Sequence, residues 1–501
     1  LSIVSLLDVA RVHVQRCRRM KLCLGLTCIL LWAATAHAGG FELPGNDAEA
    51  LGRGAAFTAK ADDGAALDYN IAGLARQRGT RILLGANLLL HDYTFQRTGN
   101  FPGSTGDAKT PYAGQPYPLL ANQAGPFVAP LVAVSTDFGF FERWTFAIGL
   151  FAPSAVGNRS YGLTTGNVPS PGRYDLVSEN LLIVYPTVAA ALRIFSWLDV
   201  GAALHVVIAS FDLQNASILP LSSTACPTAE YQPCDVPTRV QTTGVTATAA
   251  VGLMLHPLRT IDIGVNLRGP VALDTSGNVS NPQLDVGHNA DLHLPAQMGT
   301  AQFYSHLPWV LRVGLRYRFL AADGFEHGDI ELDGNYEAWG QAEHDGDRLH
   351  VDTLGVFVKD LTTDITRHYH DTYGVRLGGA WNLRLGGLVL TLRAGMYFDS
   401  SATDDTRLDF DTMLKVAGTG GVSLRVRGIG LHAAYAYVWS PDQDVANGMV
   451  RPIDGFDGSN GVPGGAQFGV VNNGRYHART QILSLAVSID FETLLGRKRR
   501  R

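Results

Sequence analysis

Between Trp309 and Phe319 every second residue from Val310 is turned to one face, and three of them are arginines, Arg312, Arg316 and Arg318. In the next segment Asp329, Glu331, Asp333, Asn335 and Glu337 alternate in the same way. A side-chain period of two places each row on one face of a β-strand. Facing rows of guanidinium and carboxylate groups can cross-link neighbouring strands, or they can dock a charged group of a passing molecule. Cross-strand pairing is the favoured reading here. Arg268, Arg376 and Arg393 hold comparable alternating positions elsewhere, so with Arg312 and Arg316 they form a set of five cations able to attract a carboxylate, none of them singled out by the sequence.

Other chemistry is thinly represented. The 15 histidines are scattered, mostly in loops, and neither G-x-S-x-G nor H-E-x-x-H occurs. The tract His368-Tyr369-His370-Asp371 has ligand types but lies in a polar loop, where solvation is the ordinary outcome. The chain is therefore read as no enzyme, with no metal and no cofactor. Cys226 and Cys234 lie eight residues apart among Pro227, Pro233 and Pro237. In an exported chain that spacing reads as one disulfide closing a surface loop.

The elements that position the charged rows follow from their opposite faces. Trp309, Leu311, Val313, Leu315, Tyr317 and Phe319 make one side of that strand wholly apolar, as do Ile330, Leu332, Tyr336 and Ala338 in the next. An Arg or Lys at the bilayer midplane costs about 2–4 kcal/mol, so the charged rows must face a lumen and the apolar rows lipid. Fourteen segments of this character run from Thr80–Phe95 to Arg479–Phe491, and their connections alternate: long, Gly/Pro/Asp/Asn-rich stretches, then short ones such as Phe195-Ser196-Trp197, His256–Arg259 and Arg384–Gly387. Even strand number, tight turns at one end and large loops at the other define an outer-membrane barrel. An open sheet edge would leave backbone groups unpaired in hydrocarbon, so the sheet must close. The fold class is all-β: a transmembrane antiparallel β-barrel of 14 strands with an N-terminal plug in its lumen.

The ends of the chain differ from the barrel. Met20-Lys21, an apolar run Leu22–Ala36 and Ala36-His37-Ala38 have the form of a secretory signal peptide, so residues 1–38 are read as a removed leader. Its loss takes away five basic and one acidic residue along with Cys17, Cys23 and Cys28, leaving 35 positive and 44 negative charges, a net of −9 against −5 for the whole chain. That balance argues against nucleic acid as a partner. Residues 39–79 are rich in small residues, suited to short helices and tight turns packed against a barrel wall, and are assigned as a hatch; 80–491 form the barrel and 492–501 a basic tail in the periplasm. The last strand alternates Leu483, Leu485, Val487, Ile489 and Phe491 with Ser484, Ala486, Ser488 and Asp490, the kind of terminal strand that barrel assembly machinery recognises.

Within the hatch, Gly40-Phe41-Glu42-Leu43, Leu51-Gly52-Arg53-Gly54, Ala61-Asp62-Asp63 and Asn70-Ile71-Ala72-Gly73-Leu74 resemble the G-F-x-L, L-G-R-G, A-D-D and N-P-A-G-L elements of the FadL/TodX family of outer-membrane transporters, with Ile71 in place of the usual proline. Gly149-Leu150-Phe151-Ala152-Pro153, Gly172-Arg173-Tyr174 and Asn473-Gly474-Arg475-Tyr476 resemble further family motifs, in order through the barrel. The resemblance implies passive uptake of long-chain fatty acids or related hydrophobic molecules in the outer membrane of a Gram-negative bacterium. It implies a hatch contacting cargo through Phe41, Leu43, Asn70, Ile71 and Ala72, and a third-strand kink near Gly149, Phe151 and Pro153 from which cargo leaves sideways into the bilayer. Arg268, Arg312, Arg316, Asp329, Glu331 and Asp333 are the lumen charges. The partners implied are a hydrophobic small molecule, outer-membrane lipid and lipopolysaccharide, and the assembly machinery, with a monomer sufficient. The competing reading is a general porin or a structural or adhesive barrel without hydrophobic cargo.

Overall fold

The computed structural model describes residues 43–107, 110–153, 157–218, 230–286, 292–354, 358–409, 412–452 and 469–495. The leader, Phe41, Cys226 and the basic end of the tail lie outside the described residues.

Fourteen strands close into one antiparallel barrel. They are β1 (Arg81–Arg97), β2 (Phe127–Thr136), β3 (Trp144–Phe151), β4 (Ser178–Phe195), β5 (Leu198–Ile218), β6 (Asp235–Leu258) and β7 (Ile261–Arg268), followed by β8 (Val310–Leu320), β9 (Glu326–Glu337), β10 (Thr372–Leu385), β11 (Leu388–Asp399), β12 (Lys415–Val426), β13 (Ile429–Trp439) and β14 (Gly474–Asp490). Each pairs with its sequence neighbours, and β14 returns to β1 over the full length Arg81↔Asp490 to Arg97↔Gly474. No helix among the described residues is long and apolar enough to cross a membrane, so the crossing is made by strands whose backbone groups pair around the ring.

The alternation assigns faces as the sequence requires. Val313, Leu315, Tyr317 and Phe319 of β8 and Ile330 and Leu332 of β9 are exposed on the outside, while Arg316, Asp329, Glu331 and Asp333 are buried inside. Aromatic residues mark both rims: Trp144, Phe195, Trp197, Phe319 and Trp381 near the short turns, and Trp309, Tyr373, Tyr435 and Trp439 near the long loops. These are the girdles of an outer-membrane barrel.

Two features exceed the fourteen-segment reading. The strand expected over Asp329–Trp339 ends at Glu337, and Trp339–Asp345 is a short helix. The connections after β7 and β9 are also not plain loops. Val271–Asn281 and Gln297–Leu307 form a hairpin seated on the outer end of β6, and Asp347–Leu354 and Val358–Ile365 extend it. They raise a wall above the membrane, where both faces tolerate polar residues and the apolar/polar contrast fades.

Residues from Leu43 to Gly79 lie inside the ring. Short helices Ala48–Gly52 and Ala66–Tyr69 and a 3-10 helix Ile71–Arg76 are joined by turns, and nearly every residue is buried. The segment touches strands all around the barrel: Gly52 lies against Gly421 of β12, Gly64 against Leu83 of β1 and Ala133 of β2, and Ile71 against Gly201 of β5.

Candidate functional site: the lumen plug and the side wall

The hatch is shaped by its own caps. Asp47 accepts the N–H groups of Glu49 (2.7 Å) and Ala50 (3.2 Å), starting the first helix. Asn70 accepts the Ala72 N–H at 3.2 Å and donates to the Thr58 and Leu253 carbonyls at 2.9 and 3.1 Å, so one side chain caps the 3-10 helix, closes the hatch turn and ties both to β6. Ile71 stands at the first position of that helix, a place where proline and other residues are alike tolerated because the N–H has no helical partner. Ile71 and Ala72 are buried against β5 and β6, and Leu43 is buried beside Tyr69 and Arg312 around a small cavity.

Wall and hatch meet through charge. Arg53 binds Asp329 through both guanidinium nitrogens (3.3 and 3.0 Å) and Glu331 at 3.0 Å. Asp333 accepts the Phe57 and Thr58 N–H groups at 3.0 and 2.9 Å, and Glu331 accepts that of Ala59 at 2.6 Å. Asp68 pairs with Arg312 at 3.1 Å and Arg268 at 3.8 Å, and Glu49 with Arg393 at 2.8 Å and Lys60 at 3.0 Å. Arg316 is the residue that ties strand to strand, reaching Asp262 at 3.1 Å and Asp329 at 2.5 Å. Cross-strand pairing is thus half of what the two charged rows do. Their other half is to hold the hatch.

Burial sets the protonation of the hatch acids. It pushes Asp47 up to about 6, assisted by the Glu49 charge. Burial, with Asp47, Glu49 and Asp62 nearby, pushes Asp63 well above the carboxylate range. For Glu49 the same burial is overridden by Arg393 and Lys60, which hold it well below that range.

Steric fit completes the docking. Gly264 and Gly314 face each other across β7 and β8, and a Cβ there would come within 2.2 Å of the Thr58 carbonyl oxygen and 2.9 Å of the Ala59 nitrogen. Gly378 and Gly395 face each other across β10 and β11, where a Cβ would meet Arg53 backbone at 1.8 and 2.3 Å. Gly201 and Gly252 do the same for Ile71 and Asn70. These paired glycines were not picked out from the sequence. Their signal was available, as inward-register glycines on adjacent strands, but it has meaning only once the plug is known to press there.

The hatch separates two cavities. On the outer side a space of about 30 Å³ is lined by Leu43, Ala55, Tyr69, Arg312, Glu337 and Arg376 among others. On the periplasmic side one of about 260 Å³ lies between Glu49, Asp62 and Asp63 of the hatch and Arg81, Arg425 and Asp490 of the wall.

The pairing of the side wall is interrupted at β3. The β2–β3 ladder runs from Thr136↔Phe146 to Leu131↔Phe151 and stops. Pro130 explains the stop: its carbonyl still accepts the Ala152 N–H at 3.1 Å, but it has no N–H to return, and a strand residue directs both groups to the same side. Pairing with β4 runs to Phe151↔Tyr185 and is next seen at Asn158↔Asn180, with two more residues on this side than on β4 between those pairs. Gly149 faces inward and makes room for Leu67 of the hatch. Phe151 points into the lumen, stacked on Tyr185 at 5.1 Å with planes 4° apart, and Arg268 lies over Tyr185 at 5.5 Å. Leu181, Ile183, Val207, Phe211 and Phe303 continue this buried apolar lining. Pro153 stands two residues after Phe151, beyond the end of the β2–β3 ladder.

Elsewhere, Cys234 is buried and disulfide-bonded. Asp371 accepts from the Tyr336 hydroxyl (2.5 Å) and the Gly340 N–H (2.9 Å). Among the described residues no group of His, Cys, Asp and Glu is arranged to hold a metal ion.

A family model described as outer membrane protein transport protein (OMPP1/FadL/TodX) matches residues 29–491. The chain belongs to the FadL/TodX family. It is an outer-membrane protein, and the family is one of transporters for hydrophobic compounds, not of enzymes. Solved structures of similar fold include a FadL homologue from Pseudomonas aeruginosa (15% identity, TM-score 0.69, covering 90% of this chain and 100% of that one). The toluene transporter TbuX of Ralstonia pickettii (16%, 0.61, 90% and 99%) and TodX of P. putida (15%, 0.63, 90% and 99%) are similar too. No curated protein matches this FadL/TodX chain by sequence search.

Proposed function

We propose that this FadL/TodX protein carries out passive uptake of hydrophobic small molecules, long-chain fatty acids or related compounds, with residues 39–79 as the hatch and the β3 kink as a sideways exit into the bilayer. The observation that carries this reading is the apolar, partly aromatic lining from Phe151 through Tyr185, Phe211 and Phe303, which lies above a filled lumen and beside the place where the β2–β3 ladder ends. A greasy solute needs a dry path past the polar outer leaflet, and such a lining supplies one without an energy source. A general porin would have no use for a plug fixed by buried ion pairs.

Within the hydrophobic class, neutral cargo is favoured over carboxylates. Arg268, Arg312, Arg316, Arg376 and Arg393 each already face a carboxylate of the protein, at 3.8, 3.1, 3.1, 2.7 and 2.8 Å. A fatty-acid headgroup would have to compete with a buried carboxylate of the protein for any of these guanidinium groups, whereas an uncharged ring or alkane would not. The toluene transport named for TodX and TbuX supports the same choice. Ala152→Trp, at the kink, tests the exit: uptake of labelled toluene should fall several-fold while the barrel stays assembled. Unchanged uptake would point to an exit through the periplasmic side of the hatch.

A further inference from the structure

His256 lies near the periplasmic end of β6, where it was not expected to matter. Its Nδ1 is 2.5 Å from Oδ1 of Asp262 on β7, and its Nε2 is 3.0 Å from Oδ2 of Asp199 on β5. The ring is largely buried and both carboxylates nearly completely so. Its backbone N–H donates to the Trp197 carbonyl at 2.8 Å, which fixes the strand beneath it. An ionised carboxylate only accepts, so both ring nitrogens can be satisfied together only when both carry a proton.

The two aspartates also face cations on the surrounding elements. Asp199 is bound by Arg76, the last residue of the hatch's 3-10 helix, and lies 3.9 Å from Arg193 of β4. Arg76 also donates to the Ser196 carbonyl at 2.9 Å. Asp262 is bound by Arg316 of β8, which continues through Asp329 to Arg53 of the hatch. One imidazole therefore joins the two ends of the hatch anchorage, Arg76 at its exit and Arg53 at its centre.

We propose that His256, clamped as an imidazolium between Asp199 and Asp262, is the positioning residue that fixes the C-terminal end of the hatch, and that loss of its proton releases that end toward the periplasm. A neutral ring has one N–H. Its other nitrogen would aim a lone pair at a carboxylate oxygen, and one aspartate must turn away, taking with it the shape of the Arg76 or the Arg316 site. Asp199 carries Arg76, and Asp262 is joined through Arg316 and Asp329 to Arg53, so the anchor weakens whichever side gives.

The inference rests on the hatch acting as the gate. The test is ion leak through the full mature protein in planar bilayers, from about pH 5.5 to about pH 9, around the ordinary imidazole range. In the wild type, leak should rise about tenfold with pH, the size of losing one charge-assisted hydrogen bond. His256→Gln should leak at the high-pH level throughout and show no pH step. Arg76→Met, which removes the hatch's own partner of Asp199 and leaves the barrel strands unchanged, should do the same if the glutamine variant does not assemble. A pH-independent wild type, or a His256→Gln protein that follows the wild-type profile, would overturn the assignment. Uptake of labelled toluene by cells at one fixed pH reads the gate and transport function separately, so failure of that reading is told apart from failure of this one.

Discussion

Arg53 of the hatch and Asp329 of β9 meet through two parallel hydrogen bonds, and neither side chain has any solvent exposure. A buried pair of this kind is a weak source of net stability but a strong source of specificity, because removing one partner strands the other charge at about 3–5 kcal/mol. Arg53→Met leaves Asp329 with Arg316 but deprives Glu331 of its guanidinium, so the hatch should dock more loosely while the barrel still closes. Protease digestion of the intact outer membrane from the periplasmic side should cut within residues 43–79 of the variant and spare the wild type.

The glycine pairs give a second handle on the same interface. Gly264→Val puts a branched side chain where a single Cβ already comes within 2.2 Å of the Thr58 carbonyl, a backbone atom with no room to yield. Strand propensity should improve while hatch docking fails. The expected outcome is a heat-resistant barrel with ion conductance well above that of the wild type.

Pro130 sets the end of the β2–β3 ladder, and Pro130→Ala restores the missing donor opposite Ala152. One further ladder bond is worth about 0.5–1.5 kcal/mol, which should bias the side wall toward closure. Toluene uptake should fall by a few-fold with no change in thermal stability beyond a small increase.

Hatch docking should also respond to pH through Asp47. Its docked value is raised to about 6 from an ordinary 3.8, so docking is strongest where the group is protonated in both states, and that advantage is lost as pH rises from about 4 through about 6. Asp47→Asn keeps an acceptor for the Glu49 and Ala50 N–H groups and removes the charge. In hydrogen exchange of the hatch amides the wild type should lose protection between about pH 4 and about pH 7, and the variant should lose less, keeping only the share of that loss that the raised Asp63 contributes.

Much of this architecture was legible in the sequence because hydrocarbon leaves little choice. Alternating rows such as Trp309 to Phe319 against Val310 to Arg318 fix strand, face and lumen together, and all fourteen segments find a barrel strand. The outer hairpin Val271–Asn281 with Gln297–Leu307 was not legible, since water on both sides removes the contrast that marks a strand. For the site, the charged rows were visible but not their main partner: that Asp333 accepts hatch N–H groups depends on a turn at Phe57–Thr58 which no periodicity marks. His256 was hidden for a similar reason. Asp262 follows His256 by six residues across the β6–β7 turn, but Asp199 is 57 residues away and reaches the ring only through the register of β5 and β6.

The central claim is that this barrel admits hydrophobic molecules through a plugged lumen and accepts neutral ones best. The most direct measurement is uptake of labelled toluene and labelled oleate by a Gram-negative host that lacks its own hydrophobic-compound transporter and expresses this chain from Met20. Toluene should enter several-fold faster than in the empty host, with oleate gaining less. If neither compound enters faster although the heat-modifiable barrel is present in the outer membrane, the transport account is contradicted and the chain retains only the family's fold.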